Sequence, residues 1–440
     1  MSQPPTSHAT NQAFGEQQPP PKWRIIGPGL VVAATGVGAA DMVATLVAGS
    51  NFGYGLLWAV IVGIILKIVL VEGAGRFSLA TGRTIFEGWA SLGRWATWYF
   101  GIYIIVWGFS YGAAAMASTA MPLHALFPGV DLKVFAVLTG LVGLALVWFN
   151  RYAVFEKITA VLVGIMFVVI VGLAIIAVPN VPEMLKGLIP MIPRGPDGSL
   201  EIAKTLALAG GVGGTITLAA YGYWLREKGW STPRFMRVMR IDNTMAYVMT
   251  GIFVISMLIV GAEVVATAGV KLGNGDKGLL DLVPVLQAKY GEWVGPAFLW
   301  GFFAAAFSSV LGVWNGVALM FADFWANARG KGSDAPEAKL DGPYARFYML
   351  WLTFPPMILI LTGQDPVGLV LIYAVLGALF MPFLALTLLP LMNLPRFGVP
   401  KEWRNGWFGN LALAITAVLF VWLGAQQLVD SVSKFLAQLA

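Results

Sequence analysis

Gly210-Gly211-Val212-Gly213-Gly214-Thr215 stands in the middle of an apolar run, with four glycines in five residues. Each glycine in a helix interior costs about 1 kcal/mol relative to alanine, so a helix through this run is locally weak. A second run, Gly36-Val37-Gly38-Ala39-Ala40-Asp41, interrupts another apolar stretch and ends in an acid. By helix order the two stretches are the first and the sixth. They would open two halves of five helices each. Interruptions at matching places in two halves point to a central transport site. Unwound backbone there exposes carbonyls and helix ends that bind ions. Taken singly, either run also reads as a small-residue packing face. The pairing and the acid favour a site.

The rest of the chain supports a membrane setting. Of its 440 residues, 58% are hydrophobic and only 11% are charged. Soluble proteins carry about 25% charged residues. Apolar runs are expected to span at 27–49, 54–75, 97–121, 132–149, 153–178, 203–224, 243–268, 294–320, 346–362, 367–391 and 407–427, giving an all-α polytopic protein of about eleven helices. With the N-terminus cytoplasmic, the inside loops hold 19 Lys and Arg and the outside loops and C-terminus hold 8, with Lys67 inside a span. That asymmetry follows the positive-inside rule. It also accounts for the net charge of +6 without nucleic acid. Residues 1–22 read as a disordered cytoplasmic tail with no signal-peptide pattern. The expected units are then 23–179, a loop 180–202, 203–392, and an added helix with the C-terminus at 393–440.

There is no cysteine, and the two histidines are His8 and His124. Thiolate metal sites, disulfides and cysteine nucleophiles are therefore excluded. No Ser–His, metal–His or paired-carboxylate constellation suggests an enzyme. No cofactor or protein partner is implied; the ligands expected are the transported solute and the bilayer.

An ionised side chain at the depth of Asp41 costs about 3 kcal/mol on insertion scales. It reads as a cation ligand or proton carrier, or as an N-cap for the second half-helix. Thr215 and Thr217 follow the sixth-span break and offer hydroxyls to a hard or hydrated cation. Ser308, Ser309 and Asn315 give the eighth span a polar stripe, for a pathway or for interhelical hydrogen bonds. Lys67 lies within the second span, with Glu72 or a carboxylate on another helix as partner, or it snorkels. Glu156 and Lys157 read as a gate or interface pair. Glu263 reads as interfacial or as lining an outer vestibule. Tyr221, Tyr223 and Trp224 read as an interfacial aromatic belt.

Several stretches carry a family resemblance: Gly27-Pro28-Gly29, Ala48-Gly49-Ser50, Gly53-Tyr54, Leu56-Leu57-Trp58 and Ala80-Thr81-Gly82-Arg83, with Glu156-Lys157 and Ser308-Ser309 further on. The chain resembles the Nramp family of divalent-metal transporters, most strongly over 27–83. That resemblance implies a LeuT-type fold of two inverted five-helix repeats, with metal held between unwound parts of helices 1 and 6. Where the family has Asp-Pro-Gly-Asn, this sequence has Gly38, Ala39, Ala40 and Asp41. Where the family has Met-Pro-His-Asn, it has Gly214-Thr215-Ile216-Thr217. The first acid, the methionine and the histidine are gone. A thioether selects softer metals over Mg²⁺. An oxygen-only site of Asp41, Gly38, Gly211, Gly214, Thr215 and Thr217 is thus expected to suit Mg²⁺, with Mn²⁺ tolerated. The missing groups also weigh against proton coupling. The competing expectation is a LeuT-type carrier of a small organic solute such as an amino acid or amine. A non-transporting sensor on the same fold is a third, and it lacks an output domain.

Overall fold

The computed structural model describes residues 27–149, 151–194, 200–211, 213–270, 277–362 and 367–439. The expected tail, 1–22, lies outside the described residues. Helices account for the architecture, and no β-strand forms among the described residues. In chain order they are α1 (Pro28–Gly36), α2 (Ala39–Phe52), α3 (Leu57–Thr81), α4 (Ile85–Leu92), α5 (Arg94–Leu126), α6 (Leu132–Phe149), α7 (Tyr152–Ile176), α8 (Val181–Lys186) and α9 (Ile202–Gly211). There follow α10 (Thr217–Glu227), α11 (Met236–Val260), α12 (Ala266–Ala268), α13 (Lys277–Tyr290), α14 (Val294–Ala328), α15 (Pro343–Leu361), α16 (Val367–Asn393) and α17 (Trp407–Leu439).

Among the described residues, eight helices are each long and apolar enough to cross a membrane, and α1 with α2 makes a ninth span bent by 58°. The pair α9–α10 and helix α16 stand where two further spans are expected. α7 shows what solvent the exterior requires. Its mean hydropathy is 3.0, yet only 33% of its apolar window is buried. Val161, Val168 and Ile175 stand largely exposed on it. Such a helix is stable in hydrocarbon, where helical backbone satisfies its own hydrogen bonds.

The order repeats. A broken pair, α1–α2, precedes α3, a short helix α4, and α5 to α7. A second broken pair, α9–α10, precedes α11, a short helix α13, and α14 to α16. α1 packs against α7, α10, α11 and α14, which puts the first break at the centre of the bundle. α2 continues against α11 and the π-helical turn Gly261–Val265 that follows it.

Candidate functional site

Both glycine runs break their helices. α1 ends at Gly36, and Val37 and Gly38 leave helical geometry before α2 begins. α9 ends at Gly211 and α10 begins at Thr217. Between them Gly213 and Gly214 hold φ of +86° and +84°, a left-handed backbone that side-chain-bearing residues rarely adopt. The breaks also touch. A Cβ on Gly36 would lie 2.7 Å from the Gly213 carbonyl, and one on Gly214 would lie 2.9 Å from the Gly36 Cα. Glycine is required on both sides of this junction. Gly214→Ala is expected to destabilise the protein by about 1–3 kcal/mol through its φ alone. The check is a lower melting temperature in detergent, beside an unchanged Gly164→Ala control, whose Cβ would meet nothing.

Asp41 is the third residue of α2, and its carboxylate accepts the Gly38 N–H at 3.1 Å. Gly38, not Asp41, is therefore the N-cap, and the acid reaches back from the first turn. The positive end of a helix suits a carboxylate there. The Gly213 amide lies close to the same carboxylate. The sequence expectation that Asp41 is a ligand or a cap thus becomes a carboxylate at the contact of both breaks.

Lys67 of α3 does not snorkel. It is 1% exposed, and its Nζ donates to the Gly214 carbonyl at 2.5 Å. Asp41 is near enough to act on its charge through space. Glu72 is not its partner: Glu72 accepts from Arg76 at 3.0 Å and from Arg240 at 2.9 Å. Arg76 also reaches the carbonyls of Trp403 and Arg404, so this group joins α3 and α11 to the segment before α17.

The serine pair serves the first break. Helix C-termini leave carbonyls without intrahelical donors. Ser308 shares its proton between the Ala305 carbonyl of its own helix at 2.9 Å and the Ala34 carbonyl at 3.2 Å, and Ser309 donates to that of Thr35 at 3.0 Å. Ser309 spends its one proton there, so the Tyr111 hydroxyl donates to it across 2.7 Å. Thr217 Oγ1 is buried without a hydrogen-bond partner, 3.0 Å from where a Gly214 Cβ would stand. Thr215 is half-buried, facing Gly377 of α16. Asn315 makes an interhelical bond, its oxygen accepting the Trp224 indole N–H at 2.8 Å, while its Nδ2 is buried without a partner.

Two further expectations need correction. Glu156 does not pair with Lys157. Glu156 turns inward to Lys228 at 2.6 Å, while Lys157 is exposed. Neighbours i and i+1 on a helix do not face each other. Tyr221, Tyr223 and Trp224 form no interfacial belt. All three are buried, donating to Asp242, Asp323 and Asn315. Glu263 is a joint, accepting from the Tyr54 hydroxyl and the Asn180 amide.

Sequence reasoning missed Tyr247, whose hydroxyl donates to the Gly213 carbonyl at 3.3 Å, and Tyr111; both lie within the field of Asp41. It also missed Met381, whose Sδ lies 3.7 Å from Lys67 Nζ. It missed Asp242 too. That carboxylate is wholly buried and holds the start of α1, accepting from Gly27 N at 2.8 Å and Gly29 N at 2.6 Å. A residue type repeated in many spans gave no sequence signal for the tyrosines or the methionine.

The site is open from one side. Asp41 and Gly38 are half-buried, and Ala44, one turn along α2, is exposed. Every residue of α1 except Leu30 is buried. No cluster of three His, Asp or Glu side chains exists among the described residues. Ligands for a cation here would be one carboxylate, break carbonyls and hydroxyls.

Known proteins place this arrangement. A divalent metal cation transporter MntH from Chromohalobacter salexigens is 27% identical over 320 residues, covering 68% of this chain and 71% of that protein. The MntH of Mycobacterium tuberculosis is 22% identical over 416 residues, 91% of each. A crystal structure of the Eremococcus coleocola manganese transporter with an aromatic bis-isothiourea substituted compound superposes with a TM-score of 0.76. It is 16% identical and covers 95% of this chain and 90% of that one. MhsT in complex with L-phenylalanine superposes at 0.54, with 16% identity over 90% of this chain and 97% of that one. The fold is thus the expected LeuT type, that of an integral membrane protein. The family model described as natural resistance-associated macrophage protein-like matches residues 29–430, and the chain belongs to the Nramp family.

Proposed function

We propose that this chain carries a divalent cation, Mg²⁺ or Mn²⁺, across a bacterial inner membrane by alternating access, with its N-terminus cytoplasmic. One observation carries the reading. At the contact of the two helix breaks, the Gly214 carbonyl already accepts from a buried ammonium, that of Lys67, in the field of the Asp41 carboxylate. The place is built for cations. Asp41 is the charged ligand. Carbonyls near Gly38, Gly211 and Gly214 and the hydroxyls of Thr215 and Thr217 supply the remaining oxygens. The unpartnered Thr217 Oγ1 supports this, because a buried hydroxyl without a partner is costly. Oxygen donors suit hard cations that keep some of their water. With one carboxylate and no histidine at the breaks, transport runs without proton coupling.

The membership and the names of the relatives support metal as cargo. Calorimetric titration of the purified protein with Mg²⁺, Mn²⁺ and Ca²⁺ tests it, followed by counterflow from preloaded vesicles. The expected result is saturable binding of Mg²⁺ or Mn²⁺ and counterflow of the same ion. Absence of both would sink the reading. The organic-solute alternative has one observation in its favour: the charge held at the breaks is an ammonium. Thermal stabilisation by amines or amino acids, with none by metals, would install it instead.

A further inference from the structure

We propose that the Lys67 ammonium is a tethered cation seated in the cation place between the two breaks, so that a free cation binds only as Lys67 leaves it. The proposal rests on the cation-site reading above and adds the group that competes for it.

Lys67 is among the largest fully buried side chains in the protein. It hangs from α3, which belongs to neither broken helix, yet its Nζ bonds a carbonyl of the second break. The carbonyl is that of Gly214, whose left-handed backbone turns it out of helical register. The charge opposite is Asp41, at the start of the half-helix after the first break. One ammonium thus bonds the second break within the field of the acid that follows the first. Its other surroundings are weak: the Met381 thioether at 3.7 Å and the Phe420 ring, whose centroid is 5.7 Å away. An ammonium has three protons to donate, and a thioether is a poor acceptor. Among the described residues no second carboxylate holds the lysine in place from α16 or α17, and a ring face offers a withdrawn ammonium a seat.

Two cations within a few ångströms in a low-dielectric interior repel strongly. A divalent ion on Asp41 and the Gly214 carbonyl therefore cannot share them with Lys67. The four-carbon stem lets the ammonium swing toward Met381 and Phe420 instead. Wild-type affinity is then weakened by the competition, and removal of the ammonium strengthens it. A purely structural lysine makes the opposite prediction, because its loss only damages the site.

The test uses the full chain in detergent as wild type, Lys67→Ala and Lys67→Met. Calorimetry with Mn²⁺ and Mg²⁺ reads the competition. Thermal unfolding with methylammonium chloride, against tetramethylammonium chloride at equal ionic strength, reads the seat itself. Expected results are metal binding at least about tenfold tighter in the variants, and saturable stabilisation of Lys67→Ala by methylammonium that wild type lacks. Lys67→Met keeps the volume filled and carries the metal arm if the alanine variant does not fold. Equal metal affinity with no methylammonium response overturns the tether and leaves the metal reading standing. No metal binding in any form, with methylammonium rescue, removes the metal reading and keeps the tether. Neither effect in any variant overturns the tether.

Discussion

Asp41→Asn is expected to abolish cation uptake while a second substitution restores the fold it disturbs. The amide oxygen of asparagine can accept the Gly38 N–H that Asp41 accepts at 3.1 Å. The first turn of α2 therefore keeps its hydrogen bond. The negative charge is lost, and Lys67 is left buried without its opposite. A buried charge left without compensation destabilises a fold. Asp41→Asn alone should melt several degrees lower and take up no cation above background. Replacing both members by uncharged groups removes the uncompensated charge. Asp41→Asn with Lys67→Met should recover most of the melting temperature and remain inactive. This separation matters because Asp41→Asn alone would confuse a lost ligand with a damaged fold. Uptake into vesicles by the double variant at the wild-type rate would remove Asp41 from the site.

The breaks were legible because their cause is local. Four glycines in five residues weaken a helix wherever they stand, and an acid in an apolar run needs a reason there. The partners were not legible, because each joins residues far apart in the chain. Lys67 and Gly214 are 147 positions apart, and Gly27 and Asp242 are 215 apart. Asp242 sits nearly two turns inside α11, close in sequence to Arg237 and Arg240, and by pattern it reads as one more loop charge. The aromatic cluster shows the same limit. A tyrosine with an apolar body and a polar tip suits a membrane interface and a polar-lined core equally. Only the acids on α11 and α14, which face Tyr221 and Tyr223, decide it. The Glu156–Lys157 pairing failed for a reason visible in advance, since adjacent helix positions diverge by about 100°. The paired serines were seen as polar, but their targets, the end carbonyls of α1, follow only from where that helix stops.

Asp242→Asn is expected to open the closed side of the bundle. The wild-type carboxylate accepts three donors: the Gly27 and Gly29 amides and the Tyr221 hydroxyl at 2.8 Å. Beside it, the Glu156–Lys228 pair presses on the same point, since a Cβ on Gly27 would stand 2.9 Å from Glu156 Oε1. This clasp holds the first turn of α1 against α7, α10 and α11. Asparagine has one acceptor oxygen and presents an NH₂ where the other accepted. A backbone N–H would then face a donor, and a buried unsatisfied group costs about 1–3 kcal/mol. Swinging α1 outward relieves that cost, so the open state gains what the closed state loses. A shift of about 1.4 kcal/mol changes the ratio tenfold. The natural chain has no cysteine, so an introduced one reports without background. Ala33→Cys places it on α1, where Ala33 is 4% exposed. Maleimide applied from the side where α1 begins should label this cysteine about tenfold faster with Asp242→Asn than without it. Unchanged labelling would mean that the carboxylate merely finishes a helix end and that α1 is held shut by its apolar packing against α14.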